Sequence, residues 1–315
     1  MNYLQRYLVD EFVEDYQEGL LSRRQALQRI AGITGVALAT QLLAACGQPT
    51  STQPVGEPTA PGATADGDPT AASAPSTTSV LADDAEISAA MTQIPGDGGQ
   101  VLAYLARPTA EGAYPIVLVC HENRGLTPHI EDVARRIAKA GYVGVAVDLL
   151  WREGGTAQVA DADGIPGLLS GAPPERHVQD FQTALEYVKG QPFAQADRVG
   201  MVGFCFGGGV TWLVAAGVPE LRAAVPFYGP PVPTGEVPKI NAAVLAIYAE
   251  RDSRINQTIP EIEAAMQQNS KTYRKSIYPG VDHAFHNDTG QRYSAEAAQA
   301  AWGEALAWFE QYLKA

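Results

Sequence analysis

One thiol lies in a setting suited to a nucleophile. Gly203-Phe204-Cys205-Phe206-Gly207-Gly208-Gly209 has the form Gly-x-nucleophile-x-Gly, follows an apolar run and opens a helical pattern. A sharp strand-to-helix turn leaves no room for side chains beside the nucleophile, so glycine stands two positions before and after it. The turn also sets the thiol at a helix N-terminus, where backbone N–H groups and the helix dipole favour a thiolate and later an oxyanion. A thiol at neutral pH needs a base. His283, in Gly280-Val281-Asp282-His283-Ala284-Phe285, offers an imidazole, and Asp252, in Ala249-Glu250-Arg251-Asp252, offers a carboxylate to orient it. Asp282 is the rival carboxylate, but it adjoins His283 and is poorly placed to reach its ring. Glu122, in Cys120-His121-Glu122-Asn123-Arg124-Gly125-Leu126, is a fourth group that also follows an apolar run.

These residues need a frame that brings distant parts of the chain to one edge. From about residue 84 the pattern alternates between strands and helices. Ile87–Ile94 and Gln100–Ala106 read as a hairpin around Pro95-Gly96-Asp97-Gly98-Gly99. Pro115–Cys120, Val143–Leu149, Arg198–Phe204, Ala223–Tyr228, Ala243–Ala249 and Lys271–Tyr278 read as further strands, most of them continuous apolar runs buried on both faces. His129–Ala140, Glu175–Lys189, Gly207–Ala216, Pro260–Gln268 and Ser294–Leu313 have helical spacing. A Gly/Pro-rich excursion spans Glu153–Pro174. The predicted fold is α/β, a doubly wound, mostly parallel sheet with helices on both faces. Chemistry in such sheets sits at the carboxyl ends of strands, which is where Cys205, Asp252, His283 and Glu122 fall.

The chain order Cys205, Asp252, His283 matches the nucleophile–acid–histidine order of α/β-hydrolases. With His121-Glu122-Asn123-Arg124-Gly125-Leu126, Gly203-Phe204-Cys205-Phe206-Gly207-Gly208-Gly209, the Asp252 position and His283-Ala284-Phe285, residues 85–315 resemble the dienelactone hydrolase family. The resemblance implies an ester or lactone hydrolase (carboxymethylenebutenolidase-like) with a Cys205–His283–Asp252 triad. Glu122 would then contact the resting thiol and accept its proton when substrate arrives. The oxyanion hole would be the backbone N–H groups of Phe206 and Asn123. Arg152 matches a substrate-carboxylate arginine, and Trp151 beside it would either wall the pocket or pack in the core. The second arginine position, four residues after His283, is Asn287, so part of the family's anion clamp is missing. His286 reads as a solvated loop residue and Cys120 as a buried structural thiol. The resemblance implies no cofactor, and no His/Asp/Glu cluster has metal-ligand spacing. The alternative is a non-catalytic ligand-binding lipoprotein on the same fold.

The N-terminal part reads differently. Residues 1–21 are polar and mildly helical; Ser22-Arg23-Arg24 then precedes a weakly apolar stretch, Ile30 to Ala45, which ends in Leu43-Ala44-Ala45-Cys46. Paired arginines ahead of such a stretch resemble a twin-arginine export signal, and the ending resembles a lipoprotein box with Cys46 as the lipidated residue. The expected organisation is an export signal over 1–45, a disordered Pro/Thr/Ala-rich tether over 46–82, and one catalytic domain over 83–315. The protein would be a monomer, exported and either held by lipid on the extracytoplasmic face or released there. The 315 residues carry a net charge of −13. That balance argues against a nucleic-acid partner, which needs a basic face. Three cysteines are too few for a disulfide scaffold.

Overall fold

The computed structural model describes residues 1–45 and 79–314. Cys46 and most of the expected tether lie outside the described residues. Eight strands form one sheet: β1 (Ile87–Gly96), β2 (Gly99–Pro108), β3 (Tyr114–Cys120), β4 (Val143–Val147), β5 (Ala194–Phe204), β6 (Ala223–Phe227), β7 (Ala243–Ala249) and β8 (Tyr273–Tyr278). Their order is β1-β2-β4-β3-β5-β6-β7-β8. β1–β2 and β2–β4 pair antiparallel; every later pair is parallel. The helices are α1 (Tyr3–Gln17), α2 (Arg23–Thr34), α3 (Val36–Ala45), α4 (Pro128–Lys139), α5 (Ile165–Gly171), α6 (Pro174–Lys189), α7 (Phe206–Gly217), α8 (Ser253–Asn256), α9 (Ile259–Gln268) and α10 (Ala295–Phe309). No helix among the described residues is long and apolar enough to cross a membrane.

Register shows which helices share a face. Gly144, Val117 and Gly200 are cross-strand neighbours, so they point to one side of the sheet. Gly144 lies against Ala134 of α4 and Gly200 against Phe309 of α10. Gly203, three residues along β5, points the other way, onto Gly207 and Thr211 of α7. The sheet is thus covered on both sides; β3, β4, β6 and β7 are almost wholly buried, as is β5 from Val199 to Phe204.

All eight expected strands form, with ends shifted by a few residues. Two short helices were not expected: α5 inside the Gly/Pro-rich excursion and α8 just after Asp252. The larger surprise lies at the N-terminus. Asn2 opens α1 with a capping box: its Oδ1 accepts from the Gln5 N–H at 2.8 Å, and Gln5 Oε1 accepts from the Asn2 N–H at 2.9 Å. Leu4, Tyr7, Leu8, Val9, Glu11, Phe12 and Tyr16 of α1 are buried against the rest of the protein. Ser22 and Gln25 form a second capping box at the start of α2, leaving Arg23 and Arg24 exposed.

Candidate active site

Cys205 joins β5 to α7 with φ 58°, a left-handed conformation that costs a non-glycine residue energy and marks functional turns. The surrounding glycines are steric requirements. A Cβ on Gly203 would lie 2.2 Å from the Gly207 carbonyl oxygen, and one on Gly207 would lie 2.4 Å from the His121 carbonyl oxygen. The turn therefore needs α7 pressed against β5 and against the loop after β3.

His283 and Asp252 meet at this end of the sheet, although 31 residues separate them. The Asp252 carboxylate lies 2.5 Å from His283 Nδ1, and its other oxygen accepts from the Ile255 N–H at 3.1 Å, capping α8. Burial alone would raise the Asp252 pKa, but the His283 charge and hydrogen bond outweigh it and hold the carboxyl below its ordinary value. For His283 the balance runs the other way: burial pulls the imidazole down, and Asp252 lifts it above its ordinary value. The Cys205 thiol is pushed up, first by burial and then by the charges of Glu11 and Glu122, so it is protonated at rest. The Tyr7 hydroxyl and the Phe206 N–H oppose that shift.

Two groups at the thiol come from α1. The Tyr7 hydroxyl donates to Cys205 Sγ at 3.2 Å and lies 3.3 Å from His283 Nε2, between nucleophile and imidazole. The Glu11 carboxylate oxygens lie 3.6 and 3.7 Å from Sγ, and the Asn123 side-chain amide donates to one of them at 2.8 Å. Glu11, Cys205 and His283 bring their ligand-type atoms within 4.8 Å of one another, a cluster with no counterpart in sequence spacing. A 490 Å³ cavity beside α1 opens onto Cys205, Glu122, Asn123, His283 and Asn287. A second, of 330 Å³, lies against Tyr7 and Arg254.

The family model for dienelactone hydrolases matches residues 101–313. The chain belongs to the dienelactone hydrolase family. This family member is a hydrolase. It is 36% identical over 258 residues to a Salmonella typhi protein provisionally named carboxymethylenebutenolidase, covering 77% of this chain and 94% of that one. A Bradyrhizobium protein provisionally named as a 2-oxo-3-(5-oxofuran-2-ylidene)propanoate lactonase is 33% identical over 229 residues, covering 69% and 92%. A Klebsiella pneumoniae crystal structure, provisionally named dienelactone hydrolase, superposes with a TM-score of 0.67 at 35% identity, covering 72% of this chain and 99% of that one.

Within this dienelactone hydrolase family member, Cys205, Asp252, His283, Phe206 and Asn123 come together. Glu122 is near, but it is Glu11 that contacts the thiol. Glu122 instead accepts from Asn287 Nδ2 at 2.5 Å, so Asn287 holds a carboxylate in place. Burial raises the Glu122 pKa despite that bond. Arg152 does not reach the cavity: its guanidinium is spent on Asp180, with two bonds at 2.8 and 2.9 Å, and it stacks 3.9 Å over Trp151. Trp151 packs on Gly99 rather than walling the site. His286 is buried, not solvated; it stacks on Phe204 at 4.8 Å, and both ring nitrogens lack a hydrogen-bond partner among the described residues. Cys120 and Cys205 are both free and buried. Tyr7 and Glu11 escaped the sequence reading. The available signal was the i, i+4 spacing of Tyr7 and Glu11 on an apolar stripe of Leu4, Leu8, Phe12 and Tyr16.

Proposed function

We propose that the protein hydrolyses carboxylic esters or lactones through a Cys205–His283–Asp252 triad. The Cys205 thiol gives its proton to His283 Nε2, and Sγ attacks the acyl carbon. The oxygen of the tetrahedral intermediate takes the Phe206 and Asn123 backbone N–H groups. The acyl C–O bond breaks, and the leaving oxygen recovers the proton from the imidazolium; in a lactone it stays tethered. Water then gives a proton to Nε2, its hydroxide attacks the thioester, and the released thiolate is reprotonated. Asp252 fixes the Nδ1–H tautomer and stabilises the imidazolium throughout. Burial, then the charge of Glu11 and then that of Glu122 keep the resting thiol protonated and hence resistant to oxidation.

The observation that carries this reading is the left-handed Cys205 at the head of α7 with the His283–Asp252 pair beside it. The Bradyrhizobium relative's name supports a lactone that also bears a carboxylate. The test is turnover of p-nitrophenyl acetate and of a butenolide lactone, with Cys205→Ala as control. Turnover lost in the variant supports the reading; turnover that survives it refutes the nucleophile.

We also propose export. The Arg23-Arg24 pair, exposed at the start of α2, supports a twin-arginine route, and Leu43-Ala44-Ala45-Cys46 supports cleavage and lipidation at Cys46. Mass analysis of the mature N-terminus in the expressing cell tests this: a lipid-bearing Cys46 is the expected result, and an intact Met1 terminus contradicts it.

A further inference from the structure

The family's arginine positions leave this site without an anion clamp, because Arg152 is held by Asp180 and the second position is Asn287. Two other arginines stand at the site. Arg254 is nine-tenths buried, with 10% of its side chain exposed. Its Nε donates to Glu14 at 3.1 Å, yet among the described residues Nη1 and Nη2 have no hydrogen-bond acceptor. Buried donors without acceptors are costly, so this half of the guanidinium has unmet demand for an anion. The nearest candidate is Glu11 Oε2, 3.7 Å from Nη2, 3.6 Å from Cys205 Sγ and 4.0 Å from His283 Nε2. One carboxylate oxygen thus spans guanidinium, nucleophile and imidazole. Arg292 lines the cavity that contains Cys205 and binds Asp15 and Glu18, each at 2.8 Å.

Three of the four partners belong to α1, and the fourth, Glu18, caps its C-terminus. Glu11, Glu14, Asp15 and Glu18 recur at helical-face spacing, so α1 presents an acidic stripe to these two arginines. Next to it, the Tyr7 hydroxyl stands between Sγ and Nε2. A carboxylate and a hydroxyl at the nucleophile are the two functional groups that ester hydrolysis produces. The 330 and 490 Å³ cavities both border α1, one lined by Tyr7 and Arg254 and the other by Glu11, Cys205 and Arg292.

We propose that Arg254 and Arg292 form the clamp for a carboxylate-bearing ester or lactone, and that the acidic stripe of α1 holds that place until the N-terminal segment leaves. The inference rests on the hydrolase reading above. Under it, the substrate's second carboxylate takes Arg254 Nη1 and Nη2 while its acyl carbon faces Sγ, and the precursor is held inactive by its own leader.

The test uses the full chain carrying a protease site within residues 47–78. Hydrolysis of p-nitrophenyl acetate, a neutral ester, and mono-p-nitrophenyl succinate, an anionic one, is measured before cleavage and after the leader is removed in salt. Leader removal is expected to raise turnover of both esters at least tenfold and to leave the anionic ester favoured in kcat/KM. Arg254→Gln and Arg292→Gln are each expected to lower the anionic-to-neutral ratio about tenfold, with Arg254→Lys between. Arg254→Lys and Arg292→Gln also guard against a fold defect in Arg254→Gln. A leader peptide added back should compete with the anionic ester, and more weakly as Glu11→Gln. Cys205-dependent turnover with a ratio that neither arginine moves overturns the clamp, a loss of turnover on leader removal overturns the inhibition, and both leave the hydrolase reading standing. Absence of Cys205-dependent turnover of either ester overturns both.

Discussion

Two surfaces meet at Cys205 Sγ, and they are built by different means. The lower one is backbone. β5 delivers the cysteine, β3 the Glu122–Asn123 loop, β7 the aspartate and β8 the histidine, each at a strand's carboxyl end. Parallel register fixes their separations before any side chain is chosen. The upper surface is α1, a single helix seated by an apolar stripe and by ion pairs to Arg254 and Arg292. The lower surface cannot move without breaking the sheet, whereas the proposed departure of the N-terminal segment would take the upper one with it.

The largest effect is expected from the lower surface. Cys205→Ala should reduce ester turnover by roughly 10⁴–10⁶-fold, to the level left by binding and the oxyanion donors. Asp252→Asn should cost about 10⁴-fold by favouring the wrong His283 tautomer, read from kcat at saturating ester. A dependence on His283 as base also has a signed pH profile. Asp252 lifts the imidazole pKa above 6.5, so kcat/KM should rise with pH through that higher value, and Asp252→Asn should move the rise to lower pH.

Stability carries the same signs. The raised His283 contributes fully below its unfolded pKa near 6.5 and loses that contribution as pH rises through its folded value. The depressed Asp252 contributes above about 3.8 and loses it as pH falls through its lower folded value. Urea midpoints taken across both windows should drop at each end, and Asp252→Asn should flatten both drops.

A smaller effect separates the two surfaces by stability alone. Gly207→Ala puts a Cβ 2.4 Å from the His121 oxygen and 2.6 Å from the Cys120 oxygen, both backbone atoms. It should destabilise the domain by about 1–3 kcal/mol, measured as a shift in urea midpoint. The smallest is Tyr7→Phe, which removes one hydroxyl from α1 and leaves the sheet untouched. Amide exchange should quicken several-fold in α1 with no change in β5; equal quickening in both would mean that α1 and the sheet open as one unit.

The lower surface was legible in the sequence because its signals are local. Gly203-x-Cys205-x-Gly207 encodes its own turn, and apolar runs ending at Cys120, Phe204 and Ala249 mark the strand ends that carry the chemistry. Even His283, on a loop, follows a recognisable strand. The partners of Arg152 and Glu122 were not legible, because they depend on which group is nearer, Asp180 in one case and Asn287 in the other. Sequence distance does not report that. His286 was misplaced for a related reason: a loop histidine can still be enclosed by aromatic rings, here Phe204, Phe227 and Trp302. The upper surface was opaque because α1 contacts residues 194 positions away at Cys205 and 240 away at Arg254. Its acidic stripe was visible in the sequence, but nothing local says which arginines it meets.

The most direct test of the central claim is to trap the acyl-enzyme. The full chain with a protease site within residues 47–78 is mixed with p-nitrophenyl acetate before and after removal of the N-terminal segment, quenched in acid and digested for mass spectrometry. The account predicts an acetyl group on the peptide carrying Cys205, more of it after the leader has gone, persisting longer in Asp252→Asn. Ester turnover with no adduct at Cys205, undiminished in Cys205→Ala, would contradict it.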